Sequence, residues 1–278
     1  MKLLTLNCHS LVEENYLDKL NDFVTAVAKK QPDIIALQEV NQTCCKAEAG
    51  DALMAGYVSC DEGIMIREDN HVCNVADKLR NRGLFYYWTW LPMKKGYDIY
   101  DEGIALMSRY PILETDVVTV SSIDDYNNWK TRKLIGIRTE NAPDEWFYSV
   151  HFGWWDDKDE PFQNQWRNTH AYMKQYDKVW LMGDSNSPAQ VRGEGYDMIA
   201  GDGWKDSFVL AEEKDNGITV GRVIDGWKEK LTETDGMRID QLWCNRKVVV
   251  KTSEVMFNGK KEPVVSDHYG VLIDYERD

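Results

Sequence analysis

Val179-Trp180-Leu181-Met182-Gly183-Asp184-Ser185-Asn186 is the stretch that decides the fold. Its apolar start reads as a short buried strand, and Gly183-Asp184 ends it with a carboxylate, followed closely by the amide of Asn186. A polar residue at the end of an apolar strand sits at the rim of a sheet, where sites are commonly built. The same pattern recurs along the chain. Residues 2–7 form an apolar strand ending at Asn7. Ile34-Ile35-Ala36-Leu37 delivers Gln38 and Glu39, and the strand over 146–152 delivers His151. Two polar clusters follow late, Arg238-Ile239-Asp240 and Ser266-Asp267-His268. A lone Asp after a strand is most often a turn former or cap. The meaning lies in the set and its order.

Around these strand ends the periodicity predicts a helix between Asn15 and Pro32. Leu17, Leu20, Val24 and Val27 would form its buried stripe, Asn15 its cap, and Asp18 would sit near the positive end of its dipole. Strand, helix and strand in succession suggest an α/β layer. Further on, the spacing predicts a helix over 74–82 and strands over 85–91, 103–107, 112–120 and 133–139. Glu160-Pro161 opens a helix whose Phe162, Trp166 and Met173 share a face. Strands over 238–243, 248–256 and 269–273 complete the set. Many strands with few helices predict two packed sheets covered by helices. Residues 41–85 are less regular and carry Cys44, Cys45, Cys60 and Cys73, for which no role can be derived. No repeat and no Pro-, Gly- or Ser-rich divider interrupts the sequence, which predicts a single domain over 1–278.

Composition narrows the function. With 278 residues, 43% of them hydrophobic, the chain can bury a large core. Its 47 acidic and 33 basic residues leave a net charge of -14. An acidic surface repels the phosphate backbone of nucleic acid, which weighs against a general nuclease although a local basic groove can exist. The N-terminus lacks the apolar core and small-residue cleavage site of a signal peptide. No apolar run approaches the ~18 residues of a membrane span. These features predict a cytoplasmic protein with no membrane partner, its 6 cysteines (Cys8 and Cys244 among them) free thiols. Zinc is the sharper alternative for the cysteines, but no paired CxxC spacing supports it.

Asn7, Glu39, Glu102-Gly103, His151-Phe152, Gly183-Asp184-Ser185-Asn186, Arg238-Ile239-Asp240 and Ser266-Asp267-His268 together resemble the endonuclease/exonuclease/phosphatase superfamily over nearly the full chain. The GDSN and SDH segments are its most specific pieces. The resemblance implies the DNase I-like fold, a four-layer α/β/β/α sandwich of the α/β (α+β) class, with the site at one rim of the two sheets. It also implies Mg²⁺, with Mn²⁺ as a possible substitute. Glu39 would be the main ligand, Asn7 would sit beside it, and Asp267 would contribute second. Mg²⁺ takes hard oxygen donors, usually one or two carboxylates with waters and substrate phosphate. Asp184 would orient or deprotonate the attacking water, and Asn186 would hold a phosphate oxygen. His151 and His268 would donate hydrogen bonds to the phosphoryl oxygens, since phosphoryl transfer needs positioning and charge stabilisation more than covalent chemistry. Each histidine should be held cationic by a carboxylate. The family pattern supplies Asp240 for His151 and Glu102 for His268, although Asp98 and Asp101 are rival neighbours of Glu102. The residues leave open which group protonates the leaving oxygen. Of the rest, Arg109 should fix a turn, His9 can line the pocket, and His71 and His170 should be surface or structural.

Substrate choice must come from loops. Basic residues are dispersed. Their densest clusters are residues 78–82 and 130–133, and in the second Lys130 and Arg132 can bring cations to a single phosphate. Of the 11 Trp, Trp88, Trp90, Trp129, Trp154, Trp155 and Trp227 fall near strand ends or loops, Trp90 being expected in the core. The run from Ser149 to Asp157, with LTLNCHS, RIDQLW and VVSDHYG, looks like the bacterial members of the superfamily that include maltose 6'-phosphate phosphatase. That likeness implies a phosphomonoesterase releasing inorganic phosphate from a small phosphorylated sugar, with Trp154 and Trp155 against the hexose rings. The alternatives are a nuclease for abasic or single-stranded DNA, a lipid head-group phosphodiesterase, and a binding module with a decayed site. The second lacks an export signal or apolar surface loop. The third is disfavoured because every member of the catalytic set is present. Nothing points to a protein partner.

Overall fold

Strand parity explains how residues scattered along the sequence reach one rim. A computed structural model of the chain describes residues 1–221 and 236–277. The first sheet contains β1 (Lys2–Asn7), β2 (Ile34–Thr43), β3 (Tyr87–Gly96) and β4 (Tyr100–Ser108). The second begins with β5 (Ile112–Thr119), β6 (Lys133–Thr139), β7 (Ala142–His151), β8 (Val179–Asp184) and the short β9 (Lys205–Asp206). Later strands are β10 (Glu213–Lys214), β11 (Asp240–Cys244), β12 (Val249–Met256) and β13 (Gly270–Glu276). The seven-stranded sheet runs β10-β12-β13-β1-β2-β4-β3 and the six-stranded sheet β5-β6-β7-β8-β11-β9. Both are mixed: β1 pairs parallel with β2, and β7 with β8, among antiparallel neighbours.

Successive side chains on a strand point to opposite faces. On β1, Leu3 joins the core between the sheets while Leu4 and Leu6 face the helix layer. On β7, Phe147 points inward and Trp146, Tyr148 and Val150 outward; on β8, Trp180 and Met182 point inward and Val179 and Leu181 outward. Continuing each inward series by two places reaches Thr5 and Asn7, Ser149 and His151, and Asp184. Each site residue is thus the last inward position of its strand. Beneath them lies a polar tether: Gln38 Nε2 donates to Ser149 Oγ at 2.9 Å, and Ser149 Oγ donates to the Leu37 carbonyl at 3.1 Å.

The outer faces carry the helices. α1 (Tyr16–Lys30) and α2 (His71–Arg80) cover the first sheet through Leu20, Phe23, Val24, Val72 and Leu79. α3 (Phe162–Met173) and α4 (Gly195–Gly201) cover the second through Phe162, Trp166, Met173 and Ile199. A short α5 (Ser207–Leu210) follows β9. The result is the expected α/β/β/α sandwich. No helix among the described residues is long and apolar enough to cross a membrane.

Several local expectations are corrected. Leu17 is 65% exposed, and Phe23 takes its place in the α1 stripe, because the helix turns residues 20, 23, 24 and 27 toward the sheet. Asn15 occupies the cap position of α1 in a left-handed conformation without a side-chain cap bond. α2 starts at His71 rather than 74, capped by Asn70, whose side chain accepts from the Cys73 amide. The aromatic strand begins at Tyr87, leaving Phe85 exposed, and Trp88 and Trp90 are both core. All six cysteines are free.

Gly183 explains the glycine of the GDSN segment. Its φ is +150°, and a Cβ there would lie 2.1 Å from the Val150 carbonyl oxygen and 2.8 Å from Gln38 Nε2. A side chain would force apart the parallel β7–β8 pair. Gly183→Ala is therefore expected to destabilise the fold by about 3 kcal/mol or more, at the upper end for overpacking. Urea unfolding measures it, and a loss under about 1 kcal/mol would show that the two strands can part easily.

Candidate active site

Register brings the polar strand ends into rows. Parallel β7–β8 pairing sets His151 beside Asp184, and antiparallel β8–β11 pairing sets Asp184 beside Asp240. On the facing sheet, Asn7 pairs with Gln38, and Asn41 with Glu102. Alternation alone would turn Glu39 toward the helices. The register shift between Leu37 and Val40, with Glu39 at φ +52°, adds a bulge that redirects it.

Asn7 stitches the sheets together. Its Nδ2 donates to Glu39 Oε1 at 2.9 Å and to Asp184 Oδ2 at 3.2 Å, while Ser266 Oγ donates to its carbonyl at 2.7 Å. His268 Nδ1 lies 3.0 Å from Asp240 Oδ2, and its Nε2 lies 4.0 Å from Asp184 Oδ2. His151 Nε2 is 3.6 Å from Asp184 Oδ2 and 3.9 Å from Glu39 Oε1. The Asn186 amide N–H donates to Asp184 Oδ1 at 2.8 Å, and its Nδ2 donates to the Phe152 carbonyl at 2.9 Å. Asp267, half-buried, sits 4.0 Å from His9 Nδ1.

The two histidines differ in charge. Burial alone would depress His268, but the carboxylates of Asp240, Asp184 and Asp267 raise its pKa to about 10, so it is an imidazolium. Burial holds His151 well below its usual value, helped by the charges of Arg132, Lys94 and His268, so it is neutral. This corrects the expected pairing. Asp240 serves His268, not His151. Glu102 is bound to Lys94 Nζ at 3.0 Å across the β3–β4 ladder. No hydrogen-bond partner meets His151 Nδ1 among the described residues. Asp184 is pushed up to about 7, chiefly by burial and by Asp240, against the pull of His268.

Residues 4–268 match the Endonuclease/Exonuclease/phosphatase family. The chain belongs to that family. A family protein from Leptotrichia buccalis is 31% identical over 100% of both chains, with a TM-score of 0.86. A mannosyl-6-phosphatase from Bacteroides thetaiotaomicron shares 13% identity over 100% of both chains at a TM-score of 0.69. A 3'-5' exonuclease from Neisseria meningitidis shares 18% over 100% of both at 0.63. No curated protein matches the chain. As a member of the family, the chain is a hydrolase of phosphoester bonds.

Members of the family typically depend on a divalent metal, and the residues here fit one. Burial and the charges of Glu102 and Asp267 push the Glu39 carboxyl up, only partly offset by His9. Crowded, desolvated carboxylates of this kind are relieved by a hard cation. Glu39, Asn7 and Asp267 would hold it, and the ion would polarise a phosphoryl oxygen as a Lewis acid. His9, Glu13 and Asp267 offer atoms within 4.8 Å of one another, as do Asp184, Asp240 and His268. Each group already contains a histidine with a raised pKa, His9 at about 9 and His268 at about 10, and the Glu39 carboxyl lies outside both groups. Opposite it, Asp184 has the pKa and burial of a proton acceptor for water. Cationic His268 can donate to an oxygen gaining charge.

The other anticipated residues separate. His9 does line the site, bonded to Glu13 at 3.0 Å and to the Tyr97 hydroxyl at 3.3 Å. His71 and His170 bond Tyr16 and Trp204 and lie elsewhere. Lys130 is consumed by Asp157 at 2.8 Å and Asp159 at 2.6 Å. Trp155 packs toward Phe162, while Trp154 meets Trp129 with ring centroids 5.4 Å apart. Trp227 lies outside the described residues. Sequence reasoning missed Lys94, Tyr97 and Tyr126. Lys94-Lys95 on an alternating strand was the available signal, because one of two adjacent lysines must face inward.

Proposed function

We propose that the chain is a phosphomonoesterase that releases inorganic phosphate from a phosphorylated sugar, with maltose 6'-phosphate the foremost candidate. The carrying observation is a set of exposed aromatic rings, one of them in contact with the site. Tyr97, Tyr126 and Trp129 are 56%, 39% and 46% exposed. Tyr97 touches the site through His9, and the other two are joined to its chain neighbours. Tyr97 bonds His9, Tyr126 donates its hydroxyl to Asp101 beside Glu102, and the Trp129 carbonyl accepts from Arg132. Exposed rings with polar edges suit the apolar face and hydroxyls of a sugar.

Charge supports a small substrate. The basic cluster at 130–133 offers little to a nucleic-acid backbone, because Lys130 is paired as above and Lys133 bonds Asp124 at 2.8 Å. With a net charge of -14, a long polyanion meets repulsion away from the site. The fold itself is neutral on the question, since a mannosyl-6-phosphatase and an exonuclease share it.

Trp129→Ala is expected to raise KM for the sugar phosphate about 5- to 10-fold, the scale of one lost ring contact, and to leave ethyl phosphate within about 2-fold. Steady-state kinetics on both substrates decide it. An equal change for both, or none, would remove Trp129 from sugar binding.

A further inference from the structure

Among the described residues, the buried lysine and arginines have carboxylate partners with one exception. Lys94 has Glu102 at 3.0 Å and Arg238 has Asp206 at 2.6 Å. Arg132, only 3% exposed, has no carboxylate within ion-pair distance among the described residues. Its Nη1 donates to the carbonyls of Trp129 and Thr131 at 2.8 and 3.1 Å, and its Nε has no partner. Burying a charge is costly unless it is paired and hydrogen-bonded. A desolvated guanidinium with no direct ion pair near a phosphoesterase centre points to an anion that arrives with the substrate.

Its placement fits. Arg132 immediately precedes β6 on the second sheet, and its charge acts on Glu102, Glu39 and Asp184 and is the leading charge on His151. It therefore lies within electrostatic reach of the centre, at the start of a strand in the sheet that carries His151 and Asp184. A guanidinium presents a planar fork that binds two oxygens of one phosphate. A monoester dianion carries three non-bridging oxygens, so two would remain for the fork after one met the cation that Glu39 would hold. A diester has two in all and a single charge, so the fork finds one oxygen and less charge.

We propose that Arg132 anchors the non-bridging oxygens of a terminal phosphate and thereby sets a preference for phosphomonoester dianions over diesters. The proposal rests on the phosphomonoesterase reading above and adds the group that discriminates.

The test compares wild type, Arg132→Gln and Arg132→Lys with Mg²⁺ present. It measures kcat/KM on 4-nitrophenyl phosphate and bis(4-nitrophenyl) phosphate, and the rise in Tm caused by inorganic phosphate alone. Arg132→Gln is expected to lose about 100-fold or more on the monoester, as for a lost charge-stabilising donor, and under about 5-fold on the diester. It should also lose the phosphate-dependent rise in Tm. Arg132→Lys keeps charge without the fork, so its monoester-to-diester ratio should fall about 10-fold. That variant reads the same ratio should the Gln protein fail to fold. Equal losses on both esters, an unchanged ratio, or a wild-type-like phosphate shift in Arg132→Gln would overturn the proposal. Absence of any monoester turnover by wild type would instead sink the phosphomonoesterase reading, while the phosphate shift would still test Arg132.

Discussion

Asp184→Asn lowers kcat by about 1,000-fold, the scale of a lost general base, and leaves the protein folded. Asp184 accepts from the Asn186 amide and from Asn7, stands 3.6 Å from neutral His151, and has its carboxyl raised to about 7 by burial. Asparagine keeps the shape but removes the proton acceptor and gives up one of the two oxygens that accept from Asn186 and Asn7. Relief of the buried charge offsets the lost acceptor, so Tm is expected to change little, separating activity from stability. His268→Gln acts beside it. It keeps a donor for Asp240 but loses the imidazolium, so kcat should fall about 100- to 1,000-fold with KM little altered. His268→Ala is the poorer experiment, because it strands the buried Asp240 carboxylate at a cost of about 3–5 kcal/mol. Steady-state kinetics paired with thermal unfolding check both variants. Wild-type turnover in Asp184→Asn and His268→Gln would overturn the site.

Removing divalent metal with a chelator is expected to abolish turnover by about 1,000-fold or more, and Mg²⁺ or Mn²⁺ should restore it. The crowding of Glu39 by Glu102 and Asp267 motivates this. Glu39→Gln should raise the Mg²⁺ concentration for half-maximal activity at least about 10-fold. Titrating metal against activity in both proteins measures it. Full activity in excess chelator, or an unchanged requirement in Glu39→Gln, would exclude Glu39 as the principal ligand.

The architecture was legible because it follows from short-range rules. Alternation from Leu3 through Thr5 to Asn7, and from Phe147 to His151, is visible in the letters, and it places those residues on the inner face at the rim. The 133–139 strand matches β6 at both ends. Partnership across the two sheets was not legible. Asp240 and Glu102 belong to different sheets, and only the packing of one sheet on the other decides which carboxylate meets which histidine. Lys94 intercepts Glu102 through a cross-strand register that itself shifts between Pro92 and Lys94. The orientation of Glu39 depends on a bulge with a left-handed backbone, for which no glycine signalled the site. Leu17 misled because its spacing fits the helix period while the sheet meets the neighbouring stripe.

The most direct measurement is phosphate release by the purified protein with Mg²⁺ across sugar phosphates including maltose 6'-phosphate, nucleotides, and abasic and single-stranded DNA. A sugar phosphate is expected to give the highest kcat/KM, at least about 100-fold above any DNA substrate, as a site built for one terminal phosphate requires. No release from any sugar phosphate, or faster cleavage of DNA, would contradict it.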